Sequence, residues 1–148
     1  MLPFRIWDKN SKKMIYPRSN DILEVYDDGT WEFHTDVYIS SDSCRDYYET
    51  VIFDDDGTLL WGIGRKDSNG RKVYEGDVVE AEVRFITEYP FGKTTEEKIV
   101  GVVEKTDDGC WQIRTNNKYM PIIGSCAAVQ IIKVIGNIYE NPELLKGR

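Results

Sequence analysis

Gly64-Arg65-Lys66-Asp67-Ser68-Asn69-Gly70-Arg71-Lys72-Val73-Tyr74-Glu75-Gly76-Asp77-Val78-Val79 runs directly into Glu80-Ala81-Glu82-Val83-Arg84-Phe85. Three physical signals sit in that stretch. Asn69-Gly70 is a tight-turn dipeptide, because Gly takes positive φ freely and Asn tolerates it. Glu75-Gly76-Asp77 is a second corner, where poor strand formers flank a residue that turns at low cost, so Gly76 is expected at positive φ or where a Cβ would clash. From Val79 the apolar side chains Val79, Ala81, Val83 and Phe85 alternate with Glu80, Glu82 and Arg84. That period of two places one set on each face of a strand.

The same grammar extends outward. Asp28-Gly29, Asp56-Gly57 and Asp108-Gly109 are further turn dipeptides between strand-like segments. They predict hairpins pairing Ile22–Tyr26 with Thr30–Thr35, Val51–Phe53 with Leu59–Trp61, and Val102–Lys105 with Trp111–Arg114. Trp31 and Phe33 alternate with Glu32 and His34, as Trp111 and Ile113 do with Gln112 and Arg114. The nearly continuous apolar runs Ile99–Val103 and Ile131–Ile135 fit strands buried on both faces, or bending at Gly101 or Gly136. Asn141-Pro142 predicts one helical turn. Ile39–Thr50 reads as a polar loop or short irregular helix, and Glu88–Glu97, with Pro90 and Gly92 inside it, as a long hairpin loop. The fold class is therefore mainly β with very little helix. Residues 1–72 are expected to form an N-terminal region of hairpins packing on a small, SH3-like barrel of about five strands formed by residues 73–148. The segment Ile131–Tyr139 is expected to close that barrel.

Three blocks of sequence resemble the YopX family of phage and prophage proteins. They are Phe4-Arg5-Ile6-Trp7-Asp8-Lys9 with Lys12–Pro17, Asp67–Gly70 with Val73–Val79, and Val134-Ile135-Gly136-Asn137-Ile138-Tyr139-Glu140-Asn141-Pro142-Glu143-Leu144. They stand in the family's order across nearly the whole chain. Leu60-Trp61-Gly62-Ile63-Gly64 departs from the family pattern, replacing a segment that contains Tyr-Thr-Gly. The resemblance implies a β-rich fold with an SH3-like barrel and a phage or prophage origin. It supplies no catalytic residues to carry over.

Composition narrows the chemistry. With 19 basic and 26 acidic residues the net charge is −7, which disfavours a duplex-DNA or anionic-membrane surface. Arg5, Lys9, Lys12, Lys13 and Arg18 make the densest basic stretch and read as a solvated face. Cys44, Cys110 and Cys126 are widely spaced and odd in number, which fits free thiols in a reducing compartment. The first residues carry no apolar targeting core, and no apolar run reaches the length of a membrane span, so the cytoplasm is the expected location.

No motif for catalysis is present. The single histidine, His34, is expected exposed on a polar strand face beside Asp36, without a nucleophile to activate. The acids of Asp54-Asp55-Asp56 and Asp107-Asp108 are packed into turns rather than spread along a calcium loop, so they read as turn chemistry. The sequence accordingly nominates no catalytic, cofactor or metal residues, and a non-enzyme is expected. Nine Tyr, five Phe and four Trp are more than a small core requires, and Tyr47, Tyr48, Tyr89 and Phe91 are expected to show on loops. These features favour a module binding a host or phage protein, with self-association left open. The alternative is a single-stranded nucleic-acid binder, in which loop aromatics stack on bases beside the Arg5–Arg18 cations.

Overall fold

Alternating apolar and polar residues, punctuated by Gly-containing turns, build an almost purely β structure. The computed structural model describes residues 3–37, 47–86, 94–122 and 127–145. The chain divides into two units, Phe4–Leu60 and Trp61–Arg148 with Met1–Pro3.

The first unit holds β1 (Phe4–Asp8), β2 (Lys13–Ile15), β3 (Ile22–Val25), β4 (Trp31–Val37), β5 (Tyr47–Phe53), a 3-10 turn (Asp54–Asp56) and the start of β6 (Gly57–Lys66). β3, β4 and β5 form a three-stranded antiparallel sheet, and β1 lies between β2 and β6 in another. The Asp28-Gly29 hairpin forms as expected, with Val25 opposite Trp31 and Ile22 opposite His34. Its core is Phe4, Ile6, Trp31, Phe33, Ile52 and Leu60, with Phe4 and Phe33 meeting edge to face at 6.2 Å.

Asp56-Gly57 is not a hairpin turn. The three aspartates make the 3-10 turn, and the chain leaves β5 for a different sheet. Gly57 has extended backbone at φ −149. Its role is steric, because a Cβ there would lie 3.0 Å from Ile52 Cγ2 and from Trp31 Cη2. Ile39–Thr50 is likewise not wholly loop, since Tyr47–Thr50 belong to β5; residues 38–46 lie outside the described residues.

The second unit contains the rest of β6, then β7 (Lys72–Tyr74), β8 (Asp77–Ile86), β9 (Thr94–Lys105), β10 (Trp111–Arg114), β11 (Tyr119–Pro121), β12 (Ala127–Asn137) and a final 3-10 turn, Pro142–Leu145. β8 to β12 make a five-stranded antiparallel sheet in the order β11-β10-β9-β8-β12. The sheet curls as a half-barrel, and its order is compatible with the expected SH3-like arrangement. Register shifts at Ile131/Lys133 and Val134/Gly136 interrupt β12, whereas β8 and β9 pair without a break through Gly101. β12 thus carries an extra residue at two places, the second of them next to Gly136, as expected of a bulged strand. Val79, Ala81 and Val83 enter one core with Val103, Ile113 and Ile131, as the period-two reading required. Glu88–Glu97 is not wholly loop, because Thr94–Glu97 belong to β9; residues 87–93 lie outside the described residues.

The Glu75-Gly76-Asp77 corner is built as expected. Gly76 has φ +87, and Asp77 Oδ2, buried, accepts the Tyr74 N–H at 2.8 Å. The C-terminal block closes over this corner. Gly76 donates its N–H to Val103 O at 2.8 Å and accepts from Ile138 N at 3.0 Å. Buried Asn137 then accepts from the Tyr139 and Glu140 amides at 3.1 and 2.8 Å and donates to Glu140 Oε1 at 2.8 Å. The second and third sequence blocks are thus one hydrogen-bonded knot.

Candidate functional site

The β6–β7 hairpin of the second unit gathers four cations, Arg65, Lys66, Arg71 and Lys72, all exposed. Its Asn69-Gly70 turn is held by one buried carboxylate. Asp67 Oδ1 accepts from Asn69 N and Arg71 N, each at 2.9 Å, while Oδ2 accepts from Val134 N on β12 at 3.0 Å. Burial alone would push this carboxyl up; the three amides, from Val134, Arg71 and Asn69, together with the Arg71 charge, bring it below its ordinary value. Ser68 N donates to Ile132 O at 3.2 Å and Arg65 Nη1 to Val129 O at 3.2 Å. The hairpin is therefore fixed against β12 rather than left as a free flap.

Lys66 and Lys72 stand directly opposite each other across the ladder. Like charges in that register repel. Among the described residues neither makes an ion pair within 4 Å. A cavity of about 260 Å³ opens between Arg65–Ser68 and Val129–Ile131, and another of about 200 Å³ between Pro3, Gly64–Lys66 and Lys72–Val73. Arg65 and Lys66 border both. The chemistry on offer is anion recognition.

The Arg5–Arg18 stretch does not supply such a surface. Arg5 is interior at 1% exposure, its Nη1 donating to Tyr16 Oη at 3.3 Å, because β1 is an interior strand of its sheet and Phe4, Arg5 and Ile6, on alternating faces, are all buried. Arg18 turns to Asp21, which accepts the Arg18 N–H at 2.7 Å.

His34 also departs from expectation. Its side chain is only 12% exposed, and Nε2 lies 3.3 Å from Glu32 Oε2 and 3.6 Å from Glu24 Oε2. Tyr26 Oη reaches the same two oxygens at 3.1 and 2.9 Å. Hydrogen bonding first to Glu24 and then to Glu32 pushes the Tyr26 phenol up to about 12. Sequence reading missed this group because it judged His34 within its own strand. Counting outward from Asp28-Gly29 pairs Glu24 with Glu32, and that register was the available signal.

Other singled-out residues do not join a site. Cys110 is an exposed free thiol, while Cys44 and Cys126 lie outside the described residues. Asp108 accepts from the Thr106 hydroxyl, as turn chemistry requires. Tyr47 and Tyr48 are in β5, not a loop; Tyr89 and Phe91 lie outside the described residues. Among the described residues, the large hydrophobic side chains that show are Tyr16, Val25, Tyr26, Phe53 and Tyr119, the last at 64% exposure on an edge strand.

A family model described as YopX protein matches residues 3–146. Two crystal structures have similar folds. Protein yopX from Bacillus subtilis is 20% identical with a TM-score of 0.59, covering 97% of this chain and 98% of its own. A protein from Enterococcus faecalis is 21% identical with a TM-score of 0.54, covering 99% of each chain. At these identities the likeness establishes the fold. No curated protein matches the chain.

Proposed function

The chain belongs to the YopX family, and from that premise we propose that it is a phage- or prophage-encoded, non-enzymatic module that binds a protein partner through the β6–β7 hairpin. The observation that carries this reading is the Lys66–Lys72 pair, two cations held opposite each other on a rigid hairpin beside two open cavities. A fold that keeps such repulsion on an acidic chain has a use for the charge, and an acidic segment of a partner supplies the missing counter-ions. The five-stranded sheet, read as an SH3-like barrel, adds a scaffold of a kind suited to binding. No helix among the described residues is long and apolar enough to cross a membrane. A cytoplasmic setting suits the unpaired thiol of Cys110.

The test is site-specific photocrosslinking from position 69, in the exposed turn between the two lysines, in host lysate, with and without infection. A discrete crosslinked protein that disappears when Lys66 and Lys72 are both changed to Glu supports the proposal. Crosslinks that are absent, or unaffected by charge reversal, overturn it. The same cations favour one other reading, single-stranded nucleic-acid binding, in which they would track phosphates. Fluorescence anisotropy with a labelled oligothymidine at about 50 mM salt separates the two, since electrostatic contacts are strongest there. Tight binding lost on charge reversal would replace the protein partner with a nucleic acid.

A further inference from the structure

We propose that Glu24, Glu32 and His34 form a binding site for a divalent transition-metal ion of the zinc class on the three-stranded sheet of the first unit. Glu24 is directly opposite Glu32, and Ile22 opposite His34, in the β3–β4 ladder. Glu32 and His34 are two residues apart in β4 and so share a face. Two carboxylates and an imidazole thereby converge from adjacent strands, with one ligand atom of each inside a span of 4.8 Å.

The spacing suits one small ion. Tetrahedral coordination at about 2.0–2.2 Å sets ligand atoms roughly 3.3–3.6 Å apart. The imidazole nitrogen lies 3.3 Å from Glu32 Oε2 and 3.6 Å from Glu24 Oε2. The donor set then selects among ions. Imidazole with carboxylates suits zinc, cobalt or manganese, whereas calcium and magnesium take all-oxygen shells with more ligands. The imidazole is largely buried and the carboxylates are more open, at 53% for Glu24 and 30% for Glu32, so an ion can enter from solvent and keep a water as its remaining ligand. Tyr26 Oη, within hydrogen-bond distance of both carboxylate oxygens, is the outer partner that orients them. The electrostatics agree, because carboxylates directly opposite each other repel unless a cation stands between them.

A protonated imidazole could be that cation instead, and the experiment is chosen to separate the two. Because His34 is the only histidine, an untagged chain gives a single set of imidazole NMR signals. Zinc chloride titrated into the full chain should give one-to-one binding by calorimetry and shift those signals, and cobalt should broaden them. His34→Gln or Glu32→Gln should weaken binding by about a hundredfold, and Tyr26→Phe by about tenfold, the usual range for an outer partner. Glu24→Gln, at a half-exposed position, keeps the test readable if His34→Gln does not fold. Absence of one-to-one binding, or imidazole signals unmoved by zinc and cobalt, overturns the proposal. So does binding that survives both His34→Gln and Glu24→Gln, which would place the ion on thiols. The protein-partner reading does not depend on any of these outcomes.

Discussion

The Tyr139 ring lies against Gly76 so closely that a Cβ on Gly76 would come within 2.8 Å of Tyr139 Cε2. The same glycine has φ +87, a conformation that side chains with a Cβ rarely adopt. Two costs therefore coincide, one conformational and one steric. Gly76→Ala should destabilise the chain by about 1–3 kcal/mol in urea melts. Combining it with Tyr139→Ala should recover the steric part and leave the conformational part, giving a double-mutant coupling of at least ~0.5 kcal/mol. Gly70→Asn is the control. Gly70 also has positive φ, at +83, but meets nothing within 4 Å, so Asn should be tolerated there. Equal midpoints for Gly76→Ala and Gly70→Asn would show that the corner does not depend on the ring.

Local chemistry made much of this fold legible. The alternation from Val79 to Phe85, the Asn69-Gly70 and Asp108-Gly109 turns and the Gly76 corner each depend on residues within a few positions of one another. They read correctly from sequence for that reason. Asp56-Gly57 misled because the glycine is required by the side chains of Ile52 and Trp31, which no local rule can see. Arg5 misled because burial of a cation between two apolar neighbours depends on β1 being covered on both faces, a tertiary property. The site was hidden for the same kind of reason. His34 looks solitary in sequence, and the cross-strand register that brings Glu24 to it comes from a turn six residues away. Lys66 and Lys72 look like ordinary surface charges until the hairpin sets them face to face.

Asp67 should matter more than its place in a turn suggests. An Asn there presents an amide to one of the three N–H donors it now satisfies, so Asp67→Asn should cost about 1–3 kcal/mol. The pH dependence follows from the direction of its shift. Its carboxyl is held below the ordinary value in the fold, so the unfolded chain takes up the proton first. The stabilisation is present above the unfolded pKa of about 4 and is lost as pH falls through the lower folded value. Urea midpoints compared between pH 6 and pH 3 should fall more for the native chain than for Asp67→Asn. Parallel pH profiles would remove the carboxylate from this role.

Tyr26 offers a spectroscopic check on the Glu24–Glu32 pair. Its phenol is pushed up to about 12, so it should ionise after an ordinary tyrosine. Subtracting the ultraviolet titration of Tyr26→Phe from that of the native chain should leave one transition near 12 rather than near 10. Glu24→Gln should move it back toward 10 by replacing the carboxylate that holds the phenol most strongly with a neutral amide. In the linkage sense this contribution to stability is complete below the unfolded value and disappears as pH rises through about 12. A difference transition at the ordinary position would mean that the hydroxyl does not engage the carboxylates in solution.

Lys66→Glu separates a binding role from a structural one, because the two predict opposite signs. Opposite Lys72, a glutamate converts a repulsive cross-strand pair into an attractive one. Exposed pairs of this kind are worth roughly 0.2–1 kcal/mol, so the variant should match or exceed the native urea midpoint. The partner surface loses a cation and gains an anion, so crosslinking from position 69 should fall sharply. Restoring an ordinary cation with Lys66→Arg should restore the crosslink while returning the repulsion. A more stable protein that binds less well would mark Lys66 as a residue kept for its partner at the fold's expense. Lower stability with unchanged crosslinking would show the opposite, that the hairpin needs the lysine and the partner does not.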